Sequence, residues 1–228
     1  MVSEFALKAD HVSAERYARP IRRRQTLVSR ALLRAVLRQM PGWRTDVWSL
    51  AEDAEGRPLA RPASREVGAA ISLSHSRDLV ACAVADIGRI GIDIEYMNPD
   101  RNFQDLASLA FGPRERQTVE AEGASAFYRV WTLREAFAKA SGGAFQTLID
   151  GRDYFPTHRA VGRWQVRIDG SPWIFVHRLL PGSYAMSMAI DKGRLLLDAE
   201  ALEGKTCSSP ILPITDELAG VKSDHAIR

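Results

Sequence analysis

The sequence predicts an α+β protein made of two similar α+β halves in one chain. Three observations carry that expectation. Residues 22–40 and 125–141 have the apolar spacing of amphipathic helices, and short alternating or apolar runs that read as strands surround them. The halves also share a faint echo: Gln25-Thr26-Leu27 stands in the first helix and Trp131-Thr132-Leu133 in the second. Each helix is later followed by a small-apolar strand, LVACAVA in one half and YAMSMAI in the other.

Each element has its own signal. Residues 22–40 place Leu27, Ala31, Leu32, Ala35 and Val36 at helical spacing with arginines on the other side, and Pro41-Gly42 stops the run. Residues 43–50 read as a strand, Glu55-Gly56-Arg57-Pro58 as a turn, and Arg61 to Gly68 as a polar, proline-containing loop. Strands are expected at 69–74, at 79–86 (a continuous apolar run read as fully buried) and at 90–95. Two short helices, 103–111 and 113–122, meet at Gly112-Pro113. The helix at 125–141 ends at Gly142-Gly143, and strands follow at 162–168, 173–180 and 184–190. The expected organisation is an N-terminal lobe over 1–90, a C-terminal lobe over 91–200 and a flexible tail, rich in Ser, Pro and charge, over 201–228.

Composition narrows the function classes. The 228 residues are 46% hydrophobic and 26% charged, too apolar for a disordered chain. No run reaches the roughly 18 apolar residues of a membrane-spanning helix. Glu4, Lys8 and Asp10 break the first stretch where a signal peptide needs apolar residues, so a cytoplasmic protein is expected, without a membrane partner. Two cysteines, Cys82 and Cys207, make neither a disulfide framework nor a Cys-rich metal site. The net charge is +3, but residues 1–66 hold 13 Lys+Arg against 8 Asp+Glu, with Arg16, Arg19, Arg22, Arg23, Arg24, Arg30, Arg34 and Arg38 supplying much of the excess. A solvated helix face is the plain reading, and a patch for phosphates or an acidic protein partner the sharper one. Charge alone favours nucleic acid. No basic-aromatic interleaving accompanies the arginines, so no nucleic-acid partner is expected.

Three stretches hold chemistry. In Ile90-Gly91-Ile92-Asp93-Ile94-Glu95, strand parity sends the isoleucines to one face and Gly91, Asp93 and Glu95 to the other. Two carboxylates about 7 Å apart at Cα then stand beside a glycine that leaves room for a ligand or another backbone. Such a pair repels unless a cation joins it, and Mg²⁺ suits that need; a solvent-facing edge strand is the alternative. In Trp131-Thr132-Leu133-Arg134-Glu135-Ala136-Phe137-Ala138-Lys139, Glu135 and Lys139 share a helix face. They read either as a surface ion pair or as a third carboxylate with an ammonium for a phosphate. Ser72-Leu73-Ser74-His75-Ser76 is a poor nucleophile-base pair, because neighbours on a strand point apart; phosphate hydrogen bonding or a turn cap fits it better. No G-x-G-x-x-G occurs, Gly204-Lys205-Thr206 lacks the rest of a P-loop, and the five histidines have no zinc spacing.

In order and spacing these pieces resemble the 4′-phosphopantetheinyl transferases, in particular their larger, surfactin-type branch. Its F-N-[IL]-S-H-S, G-[IV]-D-[IV]-E, F-x-x-x-E and W-x-x-K-E-[AS]-x-x-K segments are similar to Ile71–Ser76, Gly91–Glu95, Phe111–Glu115 and Trp131–Lys139, and its G-K-P turn to Gly56-Arg57-Pro58. The resemblance covers roughly residues 16–190. It implies a pseudo-dimeric α+β fold acting as a monomer, with coenzyme A and an acyl or peptidyl carrier protein as substrates and Mg²⁺ as cofactor. It implies Asp93, Glu95 and Glu135 as the Mg²⁺ ligands, with Glu135 also the candidate base for the carrier serine. Thr26, Arg57, Ser74, His75 and Lys139 match positions that contact coenzyme A, and Arg19 and Arg24 are candidates for its 3′-phosphate. The chain departs from the pattern at Arg134, where the family has Lys, at Ile71-Ser72 for Phe-Asn, and at Ala144 for Gly. A paralogue that binds coenzyme A or a carrier without transfer is the alternative reading.

Overall fold

A computed structural model describes residues 8–40, 48–52, 54, 58–62, 68–85, 88–143, 148–155, 162–191 and 211–213. Helix α1 (Lys8–Glu15) precedes α2 (Pro20–Leu37). Pro20 opens α2, where a missing N–H leaves no bond unmade. The buried stripe of α2 is Val28, Ala31, Leu32, Leu33, Val36 and Leu37; the predicted Leu27 and Ala35 lie on its half-buried flanks. The sequence reading contains no counterpart of α1. So short a helix holds by tertiary contact rather than by its own periodicity: Arg34 of α2 clamps Asp10 through both terminal guanidinium nitrogens.

Two antiparallel sheets follow. Sheet one runs β1 (Trp48–Glu52), β2 (Pro58–Pro62), β3 (Ala69–Ser76), β4 (Leu79–Ala85) and β9 (Ile211–Pro213). Sheet two runs β5 (Ile90–Tyr96), β8 (Tyr184–Asp191), β7 (Ser171–Leu180) and β6 (Gly162–Ile168). β2 corrects the expected loop: Arg61 and Pro62 belong to a strand whose end residues Pro58 and Pro62 pair with Glu52 and Trp48. Prolines at strand ends remove the fewest ladder bonds, so they do not exclude the strand. Residues 43–47, the turn residues 55–57 and all of 201–228 except Ile211–Pro213 lie outside the described residues; those three pair with β4.

Each sheet carries a long helix. The α2 stripe packs on Ala60, Ile71, Val80, Cys82 and Val84 of sheet one. After β5 come α3 (Phe103–Ala110), α4 (Pro113–Glu122) and α5 (Ala124–Ser141), and α5 lies on sheet two in an aromatic-rich layer with Phe127, Phe137, Trp173 and Phe175. A third apolar layer joins the sheets: Ala81 and Ala83 of β4 meet Ile90, Ile92 and Ile94 of β5 and Tyr184 and Met186 of β8. Gly91 marks the crossing of α5 over β5, where a Cβ would fall 1.9 Å from the carbonyl oxygen of Ala136. The room beside Asp93 that the sequence left to a ligand or a backbone is filled by backbone. Among the described residues no helix is long and apolar enough to cross a membrane.

Candidate active site

The site lies on the seam between β3 and β5. Strand parity turns Ser72, Ser74 and Ser76 toward β5, and their hydroxyls accept the N–H groups of Ile92, Ile94 and Tyr96 at 3.0, 3.2 and 3.0 Å. The constant offset of 20 positions means that β3 and β5 run in the same direction. Side-chain oxygens thus stand where a neighbouring strand's carbonyls would satisfy an edge. Ser74 also donates to Asp93 Oδ1 at 2.8 Å, and Ser76 to Glu95 Oε2 at 3.0 Å.

Asp93 is only 4% exposed. Its Oδ1 takes the Ser74 hydroxyl and, at 2.7 Å, the Lys139 ammonium, which also reaches the Ile92 carbonyl at 3.2 Å. Its Oδ2 is buried without a hydrogen-bond partner among the described residues. Lys139 therefore bridges α5 to β5; its ion pair is with Asp93 rather than with Glu135 one turn back. Glu95 and Glu135 are both half-buried. Burial pushes each pKa above the usual carboxylate range and the charge of Asp93 pushes it further, with Lys139 opposing in both.

These groups fit a hard divalent cation in chemistry. The donors are carboxylates, one buried oxygen lacks a partner, and the mutual repulsion is what a cation would relieve. Among the described residues, however, no three Asp, Glu, His or Cys side chains stand converged as a ligand set. Lys139 supplies the counter-charge that Asp93 has.

The other predicted contacts divide. His75 is half-buried, and Arg22 Nη1 lies 2.8 Å from its Nε2. Burial and Arg22 lower its pKa, which keeps the ring neutral at pH 7. The Thr26 hydroxyl donates to the Arg22 carbonyl, one turn back. Arg19 is exposed just before α2, Arg24 is half-buried in its first turns, and Arg57 lies outside the described residues. Trp131 stacks on Phe127 in the core layer. Arg22 entered the sequence reading only as one arginine in the patch, because its meeting with His75 joins residues 53 positions apart.

Sequence reasoning also missed a latch behind the site. Glu115 and Arg134 are 0% and 1% exposed and pair at 2.7 Å. Glu115 Oε1 accepts the N–H groups of Tyr154 and Phe155, while Arg134 donates to the carbonyls of Leu148 and Arg152. The Arg in place of the family's Lys thus ties segment 148–155 to α4 and α5, a fork of donors that an ammonium lacks.

The profile of the 4′-phosphopantetheinyl transferase superfamily matches residues 89–189, the stretch from β5 to β8. The chain is 33% identical over 147 residues to the 4′-phosphopantetheinyl transferase HetI of Nostoc sp., covering 62% of each chain. It is 30% identical over 152 residues to AcpT of Salmonella typhimurium, covering 64% of this chain and 73% of that one. The figures for AcpT of Escherichia coli are 29% over 149 residues, 64% and 71%. The chain belongs to the 4′-phosphopantetheinyl transferase superfamily. The aligned part spans less than two thirds of the length of HetI.

Proposed function

We propose that the chain transfers the 4′-phosphopantetheine arm of coenzyme A to a serine of an acyl or peptidyl carrier protein, releasing adenosine 3′,5′-bisphosphate, as a holo-acyl-carrier-protein synthase. The observation that carries this reading is Asp93: a buried carboxylate with one oxygen held by Ser74 and Lys139, the other unpartnered, and Glu95 and Glu135 in electrostatic reach. Relatives described as 4′-phosphopantetheinyl transferases support it. Two helix-backed sheets in one chain support the larger, pseudo-dimeric, surfactin-type architecture.

Asp93, Glu95 and Glu135 would hold Mg²⁺, which supplies charge neutralisation on the pyrophosphate. Glu135 is the candidate base that takes the proton of the attacking serine. The Lys139 ammonium holds a phosphate oxygen beside Asp93. Neutral His75 donates a ring N–H to phosphate while Arg22 adds positive charge behind it. Thr26, Arg57, Arg19 and Arg24 complete the coenzyme A contacts in this reading, and the arginine-rich first 66 residues favour an acidic carrier protein.

The test is mass spectrometry of apo acyl and peptidyl carrier proteins incubated with the protein, coenzyme A and Mg²⁺. A gain of one phosphopantetheine arm on the carrier serine is expected. Coenzyme A binding with no gain, on carriers that a known transferase modifies, would assign the non-transferring reading instead.

A further inference from the structure

Beneath α5, three polar side chains sit at 0% exposure inside the aromatic layer: Thr132 of α5, Ser187 of β8 and His177 of β7. Their hydrogen bonds form one line. Thr132 Oγ1 donates to the Tyr128 carbonyl at 2.8 Å, Ser187 Oγ lies 2.7 Å from Thr132 Oγ1, and His177 Nδ1 lies 2.9 Å from Ser187 Oγ. A hydroxyl has one proton to give. With that of Thr132 on the carbonyl, Ser187 donates to Thr132 and His177 Nδ1–H donates to Ser187. The other ring nitrogen, Nε2, is then a bare acceptor, and it is buried without a partner among the described residues.

A second buried atom without a partner complements it. Trp164 Nε1–H is a donor only, and Trp164 is 7% exposed. On β6, Trp164 stands two residues from Gly162, which pairs directly with His177 on β7. Trp164 and His177 therefore share a face as diagonal neighbours, at a Cα spacing of about 7–8 Å. Gly162 leaves the position opposite His177 without a side chain, and a Cβ there would meet nothing within 4 Å among the described residues. A buried donor and a buried acceptor on one face of the sheet, each without a partner among the described residues, suit one water, which accepts from Trp164 and donates to His177.

The line ends at the candidate site. Ser187 is the direct partner of Asp93 in the β5–β8 register, and Thr132 lies three residues before Glu135 on α5. We propose that Trp164, one buried water, His177, Ser187 and Thr132 form a relay that seats α5 on sheet two and so sets the reach of Glu135 and Lys139 to Asp93. These are positioning residues, and the inference rests on the reading of Asp93, Glu135 and Lys139 as the transfer site.

Two arms test it. A high-resolution crystal structure of the wild-type protein and of Ser187→Ala should show a water between Trp164 Nε1 and His177 Nε2 in the former and a displaced Lys139–Asp93 contact in the latter. No water, or α5 unmoved, overturns the relay whatever the activity. In the kinetic arm, Ser187→Ala and Thr132→Val should each lower kcat, on the order of 10- to 100-fold, with KM for coenzyme A little changed. The double variant should be no worse than the worse single, because both cut one line. Thr132→Ser, which keeps the hydroxyl, should restore kcat. Losses confined to melting temperature, additive losses, or no rescue by Thr132→Ser would each overturn the positioning role. A wild-type protein that modifies no carrier would defeat the transferase reading alone, since the crystallographic arm still decides the relay.

Discussion

Asp93 is a carboxylate that folding alone would not select. It is 4% exposed, one oxygen has no partner among the described residues, and its charge adds to the burial that raises the pKa of Glu95 and Glu135. Asp93→Asn keeps the shape and removes the repulsion, and the one-third-exposed Lys139 can turn to water. The expected outcome is loss of transfer with the melting temperature unchanged or higher, the signature of a site held at the expense of stability. A variant that transfers normally, or melts several degrees lower, would remove Asp93 from the site. Arg134 predicts the opposite profile. Arg134→Lys restores the family's residue but cannot reach Glu115 and the carbonyls of Leu148 and Arg152 together. It should cost about 1–3 kcal/mol of stability for the buried acceptors left unmet, read as a lower urea midpoint. Turnover per folded molecule should hold; a neutral melt would mean that the latch is not formed.

The elements show what could be read from the sequence and what could not. The I-G-I-D-I-E alternation placed Asp93 and Glu95 on one face of a strand, and β5 does so. The alternation carries no information about what covers that face. α5 presses on Gly91, so Asp93 is buried rather than facing water. The serine seam was visible only as alternating small polar residues in Ala69–Ser76, since its partners are backbone N–H groups 20 positions on. The Glu115–Arg134 pair read as two motif positions because a buried ion pair has no local pattern. β2 was hidden by its prolines and arginine. The seam makes a prediction at its own scale. The hydrogen bond of Ser72 goes to the Ile92 N–H rather than to a predicted site residue, so Ser72→Ala should cost about 1–3 kcal/mol for one buried donor left unmet. Turnover should stay intact, whereas a kinetic defect without loss of stability would assign Ser72 to the site. Gly91→Ala should be far worse, since the new Cβ strikes helix backbone rather than a side chain that can swing away.

At the scale of the whole molecule, two opposed titrations shape stability against pH. Glu95 and Glu135 have folded pKa values raised by burial and by Asp93, so the folded state binds their protons more tightly. Their influence favours the fold as pH falls and weakens it as pH rises through those raised values. His177 acts in reverse. Burial first, then the charges of Arg129 and Arg178, lowers its pKa from 6.5 to about 4. The unfolded chain therefore takes up a proton between pH 6.5 and 4 that the folded chain refuses. The His177 contribution is complete above pH 6.5 and is lost as pH falls toward 4, by at most ~3 kcal/mol over that window. The net curve mixes both effects, so the difference between proteins is the measurement. Urea unfolding of the wild-type protein and of His177→Gln, at pH 7.5 and pH 4.5 with chelator present, isolates the histidine. The wild-type protein should lose more stability than the variant between the two pH values. Equal losses would mean that His177 titrates alike in both states, and that the core around Thr132 and Ser187 admits enough water to charge it.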